Sequence, residues 1–343
     1  MSKPSILLIY TGGTIGMMQD ARTGELRPFN FKALTSQIPE LQKFDIKLSS
    51  ISFKHPIDSS DMNPSIWAEL AQIIQTNYSK HDGFVILHGS DTMSFTASAL
   101  SFMLENLSKP VILTGSQLPI GIIRTDGKEN LITAIEVAAA QHKGKPIINE
   151  VCVYFEYKLY RGNRTYKYNS EHFDAFKSPN YPALAEAGVS IQYNYQALLK
   201  TTKKPLTVHT QLDNDIAVLK MFPGISKKIT LSILNSPNIK AVIIETFGAG
   251  NTTTQTWFIE ALKTIINKGI IVYNVTQCAE GRVIQGMYET SSALKKIGVI
   301  GGEDITFESA ITKLMYVLGK KLPLSKSKQL LQSNLRGEIT LHS

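Results

Sequence analysis

The stretch SILLIYTGGT, residues 5–14, decides the fold. Six residues suited to a buried strand end abruptly in Thr11-Gly12-Gly13-Thr14. A continuous apolar run of this length is a strand covered on both faces, and such strands belong to parallel sheets flanked by helices. A plain turn needs the two glycines but has no use for a second threonine. The segment is also neither G-x-x-x-x-G-K-[ST] nor G-x-G-x-x-G, so phosphate and dinucleotide loops do not explain it. Thr14 is therefore either scaffolding or chemistry.

Further along the chain, short apolar runs recur at 47–53, 84–87, 110–113 and 151–155. Helical periods lie between them. Asn63-Pro64 reads as an N-cap with proline at the first helical position. Ile66, Leu70, Ile73 and Ile74 then share a face, and Met93, Ala97, Leu100, Leu104 and Leu107 do the same in the next helix. Near residue 190 the pattern lapses, and it restarts with runs at 216–222, 240–247 and 270–275 and a helix through Phe258, Ala261, Leu262, Ile265 and Ile266. The expected architecture is α/β: a larger N-terminal parallel-sheet domain of flavodoxin-like type (1–190), a linker (191–212) and a smaller C-terminal α/β domain (213–343).

Bulk properties narrow the function classes. In 343 residues, 43% are hydrophobic and 19% charged, the balance of an ordinary globular protein. No apolar run approaches the ~18–20 residues of a membrane helix, and the N-terminus lacks a signal-peptide layout. Cys152 and Cys278 both fall in apolar runs and read as buried free thiols. A cytoplasmic location is the expectation. The net charge of +8 raises nucleic acid as a partner, but the lysine clusters at 200–204 and 320–328 have no interleaved aromatics and read as solvated surface.

In an open parallel sheet, ligands bind beyond the carboxyl ends of the strands. Those ends carry Thr11-Gly12-Gly13-Thr14, then Asp58-Ser59-Ser60-Asp61, then His88-Gly89-Ser90-Asp91-Thr92, then Thr114-Gly115-Ser116-Gln117. Any one of these turns is ordinary cap chemistry, and Ser90 or Asp91 alone is a natural cap for the helix that follows. Four on one edge converge. The set contains no Cys-His pair, no metal-ligand spacing and no G-x-S-x-G elbow. His88 reads as a satisfied structural histidine. What remains is a threonine nucleophile that needs a base, and lysine is a base when its surroundings permit. Gly12-Gly13 would let the backbone approach a substrate and offer N–H groups to an oxyanion.

At these residues the chain resembles the cytoplasmic bacterial type I L-asparaginases, essentially from end to end. The matching segments are 10–17 (YTGGTIGM), 58–62 (DSSDM), 84–93 (FVILHGSDTM), 96–106 (TASALSFMLEN) and 159–165 (LYRGNRT). Later matches are 174–180 (DAFKSPN), 298–302 (GVIGG) and 334–338 (NLRGE). The resemblance implies hydrolysis of L-asparagine to aspartate and ammonia, without cofactor or metal. It implies Thr14 as the nucleophile that forms an acyl-enzyme, and Ser90, Asp91 and Lys167 as a second triad. Asp58, Ser59 and Ser60, with Ser90 and Asp91, are the implied holders of the substrate's α-amino and α-carboxylate groups. Asn251 matches a loop that reaches a neighbouring subunit's site, so self-association as an intimate homodimer, paired into a tetramer in some members, is implied too. No nucleic acid or membrane partner is expected.

The chain departs from that pattern at three points. Ser90 stands where the family usually has threonine, losing a methyl that restricts the rotamer. Leu26 occupies the lid region where a tyrosine is usual, so a water or another residue must take its part. Glu245 occupies the position of an arginine that some members use in an allosteric asparagine site, which Thr276 and Cys278 also match. A carboxylate there repels an effector's carboxylate. Three alternatives stay open on sequence: an archaeal-type tRNA-dependent amidotransferase subunit, a non-catalytic amino-acid-binding protein, and a preference for glutamine. The first suits the basic charge, but the first strand begins at Ser5, leaving no room for the extra N-terminal domain of such subunits.

Overall fold

The computed structural model describes residues 3–19, 26–28, 38–286 and 289–341. The chain divides into two compact units, Met1–Thr210 and Gln211–Ser343.

The first unit is built on an eight-stranded sheet. Its strands are β1 (Ser5–Gly12), β2 (Lys47–Ile57), β3 (Gly83–Leu87), β4 (Val111–Thr114), β5 (Val151–Phe155), β6 (Lys158–Arg161), β7 (Ala185–Ala187) and β8 (Ile191–Tyr193). Across the sheet the order is β8-β7-β6-β5-β4-β3-β1-β2. The first five strands pair in parallel in the order 2-1-3-4-5, the doubly wound order that places a ligand crevice between β1 and β3. The remaining three continue the sheet antiparallel.

Residues Ile6, Leu7, Leu8 and Ile9 are all buried. Alternate side chains point to opposite faces, so both faces of β1 are covered. Each such burial contributes roughly 1.5–3 kcal/mol. On one face Ile6, Leu8, Val85, Leu87 and Ile112 pack with Leu131, Ala134 and Ile135 of helix α3 (Gly127–Ala139).

Helix α1 (Pro64–Asn77) starts as its cap predicts: the Asn63 side chain accepts from the Ser65 and Ile66 amides. It buries Trp67, Leu70, Ala71 and Ile74, with Ile66 and Ile73 half-buried. Helix α2 (Met93–Met103) is shorter than its apolar period. Asn106 adopts a left-handed backbone at φ 64, and Leu104–Glu105 pairs with Thr207–Val208 as a two-stranded ribbon. Leu104 and Leu107 stay buried outside the helix. Residues 191–212, expected as a linker, thus supply an edge strand, the buried Ala197 and one side of this ribbon.

The second unit holds a four-stranded parallel sheet in sequential order: β9 (Ile216–Lys220), β10 (Ala241–Thr246), β11 (Ile271–Thr276) and β12 (Ile300–Gly301). Helices α4 (Lys227–Leu234), α5 (Thr256–Asn267) and α6 (Glu289–Ile297) follow the first three strands in turn, and α7 (Phe307–Gly319) and α8 (Leu324–Gln332) close the chain. Phe258, Leu262 and Ile265 of α5 bury against Val242, Ile244 and Val272, the stripe read from the sequence. Cys152 is buried in β5, as expected. Cys278 is exposed, because β11 ends at Thr276 and the chain has already turned.

Candidate active site

The question posed by the two threonines has a structural answer. Thr11 is scaffolding: it is buried, and its hydroxyl donates to the Leu87 carbonyl at 3.0 Å, tying the end of β1 to the end of β3. Thr14 opens a one-turn 3-10 helix, Thr14–Gly16, anchored by the buried Ile15 and by the Tyr10 hydroxyl on the Gly16 carbonyl at 3.1 Å. Its side chain is half-buried, and no described side chain hydrogen-bonds it.

The glycine pair serves close packing of turns. Gly13 has φ 84, and a Cβ there would lie 2.4 Å from the Gly89 amide nitrogen. Gly89 in turn has room for no side chain, because a Cβ would meet the Ser59 hydroxyl at 2.6 Å. Three loops are therefore pressed together in the β1/β3 crevice: the Thr14 turn, the Ser90-Asp91 turn and the Ser59 turn.

Ser90 and Asp91 do not cap α2. Thr92 is the N-cap residue, and its hydroxyl donates to the Ser59 carbonyl at 2.6 Å. Ser90 and Asp91 face Lys167 instead. Lys167 Nζ donates to Ser90 Oγ at 2.8 Å and to Asp91 Oδ1 at 2.7 Å. The lysine side chain is 15% exposed and the Asp91 side chain 67%. One end of the pair is held in protein, and the other is open to a ligand.

Asp58 is exposed and caps the 3-10 turn Ser59–Asp61, accepting from the Ser60 amide at 2.9 Å and the Ser60 hydroxyl at 2.6 Å. Those bonds, the Ser60 hydroxyl first, hold its carboxyl below the usual range. Ser59 is buried. Asn251 belongs to the second unit, where its backbone bridges Phe247. In the lid region, residues 24 and 25 and the side chain of Leu26 lie outside the described residues. The backbone of Leu26–Pro28 pairs with Met17–Gln19.

His88 is structural, as expected. It is fully buried between Gly89 O (2.6 Å from Nδ1) and Thr96 Oγ1 (2.9 Å from Nε2), and Trp67 Nε1 donates to the same Thr96 hydroxyl at 2.9 Å. Burial pushes its pKa down to about 4. Since a carbonyl only accepts, the ring carries its proton on Nδ1 and holds the Gly89 carbonyl beside the Ser90-Asp91 turn.

Two contributions were not singled out from the sequence. One is the support of Lys167. Its ribbon, Tyr166–Lys167 against Phe176–Lys177, follows a buried turn, Gly162–Arg164. Arg161 Nε donates to Glu150 Oε2 at 2.6 Å, and the Arg161 and Arg164 guanidinium groups lie 4.3 and 5.0 Å from the Tyr181 ring centre. The density of arginines in 159–165 was the available signal. The other is Gln117, whose side chain accepts from Ser90 Oγ at 3.2 Å. Among the described residues, no group of three or more His, Cys, Asp or Glu stands close enough to hold a metal.

Two family models cover nearly all of the chain: the asparaginase N-terminal domain over residues 5–199 and the glutaminase/asparaginase C-terminal domain over 215–331. The chain belongs to the asparaginase family. L-asparaginase 1 of Escherichia coli K12 is 43% identical over 341 residues, covering 99% of each chain. A 60 kDa lysophospholipase of Mus musculus is 39% identical over 98% of this chain, which spans 62% of that protein. The crystal structure of L-asparaginase I from Vibrio cholerae superposes with a TM-score of 0.90 at 41% identity, over 99% of this chain and all of that one. The two-domain α/β architecture read from the sequence is thus that of the asparaginase family.

Proposed function

We propose that this protein is an L-asparaginase that hydrolyses asparagine through Thr14. Family membership and the full-length likeness to L-asparaginase 1 support the reaction. The observation that carries the assignment of residues is the Lys167–Ser90–Asp91 cluster, beside a turn whose threonine hydroxyl no described side chain engages. Thr14 Oγ attacks the side-chain amide carbon of asparagine. The amide nitrogen leaves as ammonia with a proton delivered through the site, and a β-aspartyl ester remains on Thr14. Water then attacks the ester, releasing aspartate and restoring the hydroxyl. Lys167, held by Ser90 and Asp91, is the proton acceptor of the relay.

Asp91 has a second role. Its Oδ1 takes Lys167, and its mostly exposed carboxylate is available to the substrate's α-ammonium group. Asp58, Ser59 and Ser60 hold the rest of the amino-acid head. Asparagine with a blocked α-amino group is accordingly a poor substrate. The tRNA-dependent reading has less behind it, since the chain matches L-asparaginase 1 over 99% of both proteins. The enzyme acts in the cytoplasm as a homodimer or a pair of dimers, with Asn251 reaching a neighbouring copy. No helix among the described residues is long and apolar enough to cross a membrane. Ammonia release from asparagine, glutamine and N-acetylasparagine, with Thr14→Ala as control, tests the reaction. Light scattering of the purified protein tests the assembly.

A further inference from the structure

We infer that Gln117 is a positioning residue that sets the direction of the proton chain through Ser90 and Lys167. The inference rests on the proposed role of Lys167 as the base and deepens it.

Gln117 lies in the turn after β4, and its backbone is pinned. The Gln117 amide donates to both oxygens of the buried Asp126 carboxylate at 2.9 and 3.1 Å, and the Leu118 amide adds a bond at 3.2 Å. Asn130 Nδ2 joins the same carboxylate to the Gly115 carbonyl, at 3.2 and 3.1 Å. The side-chain amide then reaches two ways. Nε2 donates to the His172 carbonyl at 3.1 Å, and Oε1 faces Ser90 Oγ at 3.2 Å.

Directions follow from the inventory of donors and acceptors. A backbone carbonyl only accepts, so the nitrogen of the Gln117 amide is the atom facing His172. The amide oxygen also only accepts, so Ser90 gives its single proton to Gln117. Ser90 then has only lone pairs for Lys167, and the lysine is the donor in the 2.8 Å contact. The chain runs one way, from Lys167 to Ser90 to Gln117. Two of the lysine's protons are committed, one to Ser90 and one to Asp91. When the amine is neutral it keeps those two N–H bonds, and its lone pair points away from both partners. That is the direction from which a proton arrives.

Without the Gln117 oxygen, the Ser90 hydroxyl is free to turn and donate to the lysine lone pair. The base is then blocked, and its uncharged form is favoured. With a carboxylate in place of the amide, Ser90 keeps its direction and the added negative charge favours the ammonium.

The test is the pH dependence of kcat/KM for Q117M, Q117E, S90A and the double variant Q117M/S90A, with K167M as control and far-UV circular dichroism to check folding. Q117M is expected to lose about tenfold in kcat/KM at neutral pH, less than the roughly 10²-fold low end of what a positioned base contributes, because Lys167 itself is retained, with its rising limb displaced to lower pH. Q117E is expected to displace the same limb to higher pH. The displacement caused by Q117M is expected to vanish in S90A, which has no hydroxyl to turn. Displacements of the same sign in Q117M and Q117E, or a Q117M displacement undiminished in S90A, overturn the assignment. If Q117M does not fold, the direction of the Q117E limb decides. Full activity of K167M removes the relay and this inference together. An inactive K167M with unmoved limbs in both Gln117 variants removes this inference alone.

Discussion

The two units each present the carboxyl edge of a parallel sheet, and both edges are rich in hydroxyls and amides. They differ in what those groups do. On the second unit's edge several of the polar groups are closed on one another. Thr246 donates to Asn274 Oδ1 at 2.6 Å, Thr276 to the Gly248 carbonyl at 2.7 Å, and Gln277 Nε2 to the carbonyls of Met221 and Glu245, each at 2.7 Å. On the first unit's edge, Thr14 has no described side-chain partner, and the Lys167–Asp91 pair is open on the aspartate side. Hydroxyl-rich strand ends are therefore not a site by composition. A site is where their hydrogen bonding is left incomplete toward solvent.

The two lysine–carboxylate pairs repeat the contrast. Lys313 and Glu338 in the second unit meet at 2.6 Å, each side chain 0% exposed. The lysine also reaches the Leu331 and Ser333 carbonyls, and the carboxylate accepts from the Leu335 and Arg336 amides. With every group answered, this pair ties the chain end to α7 and has nothing left for a ligand.

The largest effect that separates these regions is expected at Thr14. Thr14→Ala should abolish ammonia release from asparagine while leaving circular dichroism and melting temperature unchanged; retained turnover would break the contrast at its centre. Next, Lys167→Met and Asp91→Ala should each lower kcat/KM by about 10²- to 10⁴-fold, and a loss under tenfold in steady-state assays points to another base. Lys313→Met should act on stability instead. Removing one partner of a buried pair costs about 3–5 kcal/mol, readable by urea unfolding, whereas kcat per folded molecule stays at the wild-type value.

His88 gives a pH-dependent effect of similar or smaller size. Its folded pKa of about 4 lies below the unfolded value of 6.5. Between those values the unfolded chain binds a proton that the folded chain refuses. Stability is thus full above pH 6.5, falls by about 3 kcal/mol as pH drops toward 4, and loses nothing more from this group below that. Unfolding free energies at pH 7 and pH 4.5 should show this slope in the wild type and a shallower one in His88→Asn. The smallest expected effect is an absence of sigmoidicity. Glu245 is 14% exposed in its side chain, 3.8 Å from Lys220 Nζ, and its charge adds to the burial that pushes Glu308 up to about 7. An amino acid's carboxylate is repelled there, so initial rates should follow asparagine concentration hyperbolically; a sigmoid curve would make the second edge a ligand site after all.

Local patterns were legible where a residue's structure depends on its neighbours in sequence. The buried strands, the Asn63-Pro64 helix start and the four polar turns follow from period, cap chemistry and strand length. The antiparallel strands Lys158–Arg161, Ala185–Ala187 and Ile191–Tyr193 did not stand out, because runs of three or four residues leave too little periodicity. The true end of α2 was hidden for another reason: Leu104 and Leu107 continue the apolar stripe although the helix ends at Met103 and a left-handed Asn106 turns the chain between them.

What the amino-acid order determined alone is the alternation of elements, the hydroxyls at strand ends and the family resemblance those motifs carry. Tertiary structure alone decided that no described side chain engages the Thr14 hydroxyl, that Lys167 lies across from residues 77 and 76 positions earlier, and which way Gln117 turns its amide. The reason is physical. Strand and cap preferences are set within a few residues, whereas a hydrogen bond's partner and direction depend on groups that only the 2-1-3-4-5 winding of the sheet and the packed turns bring into hydrogen-bond range.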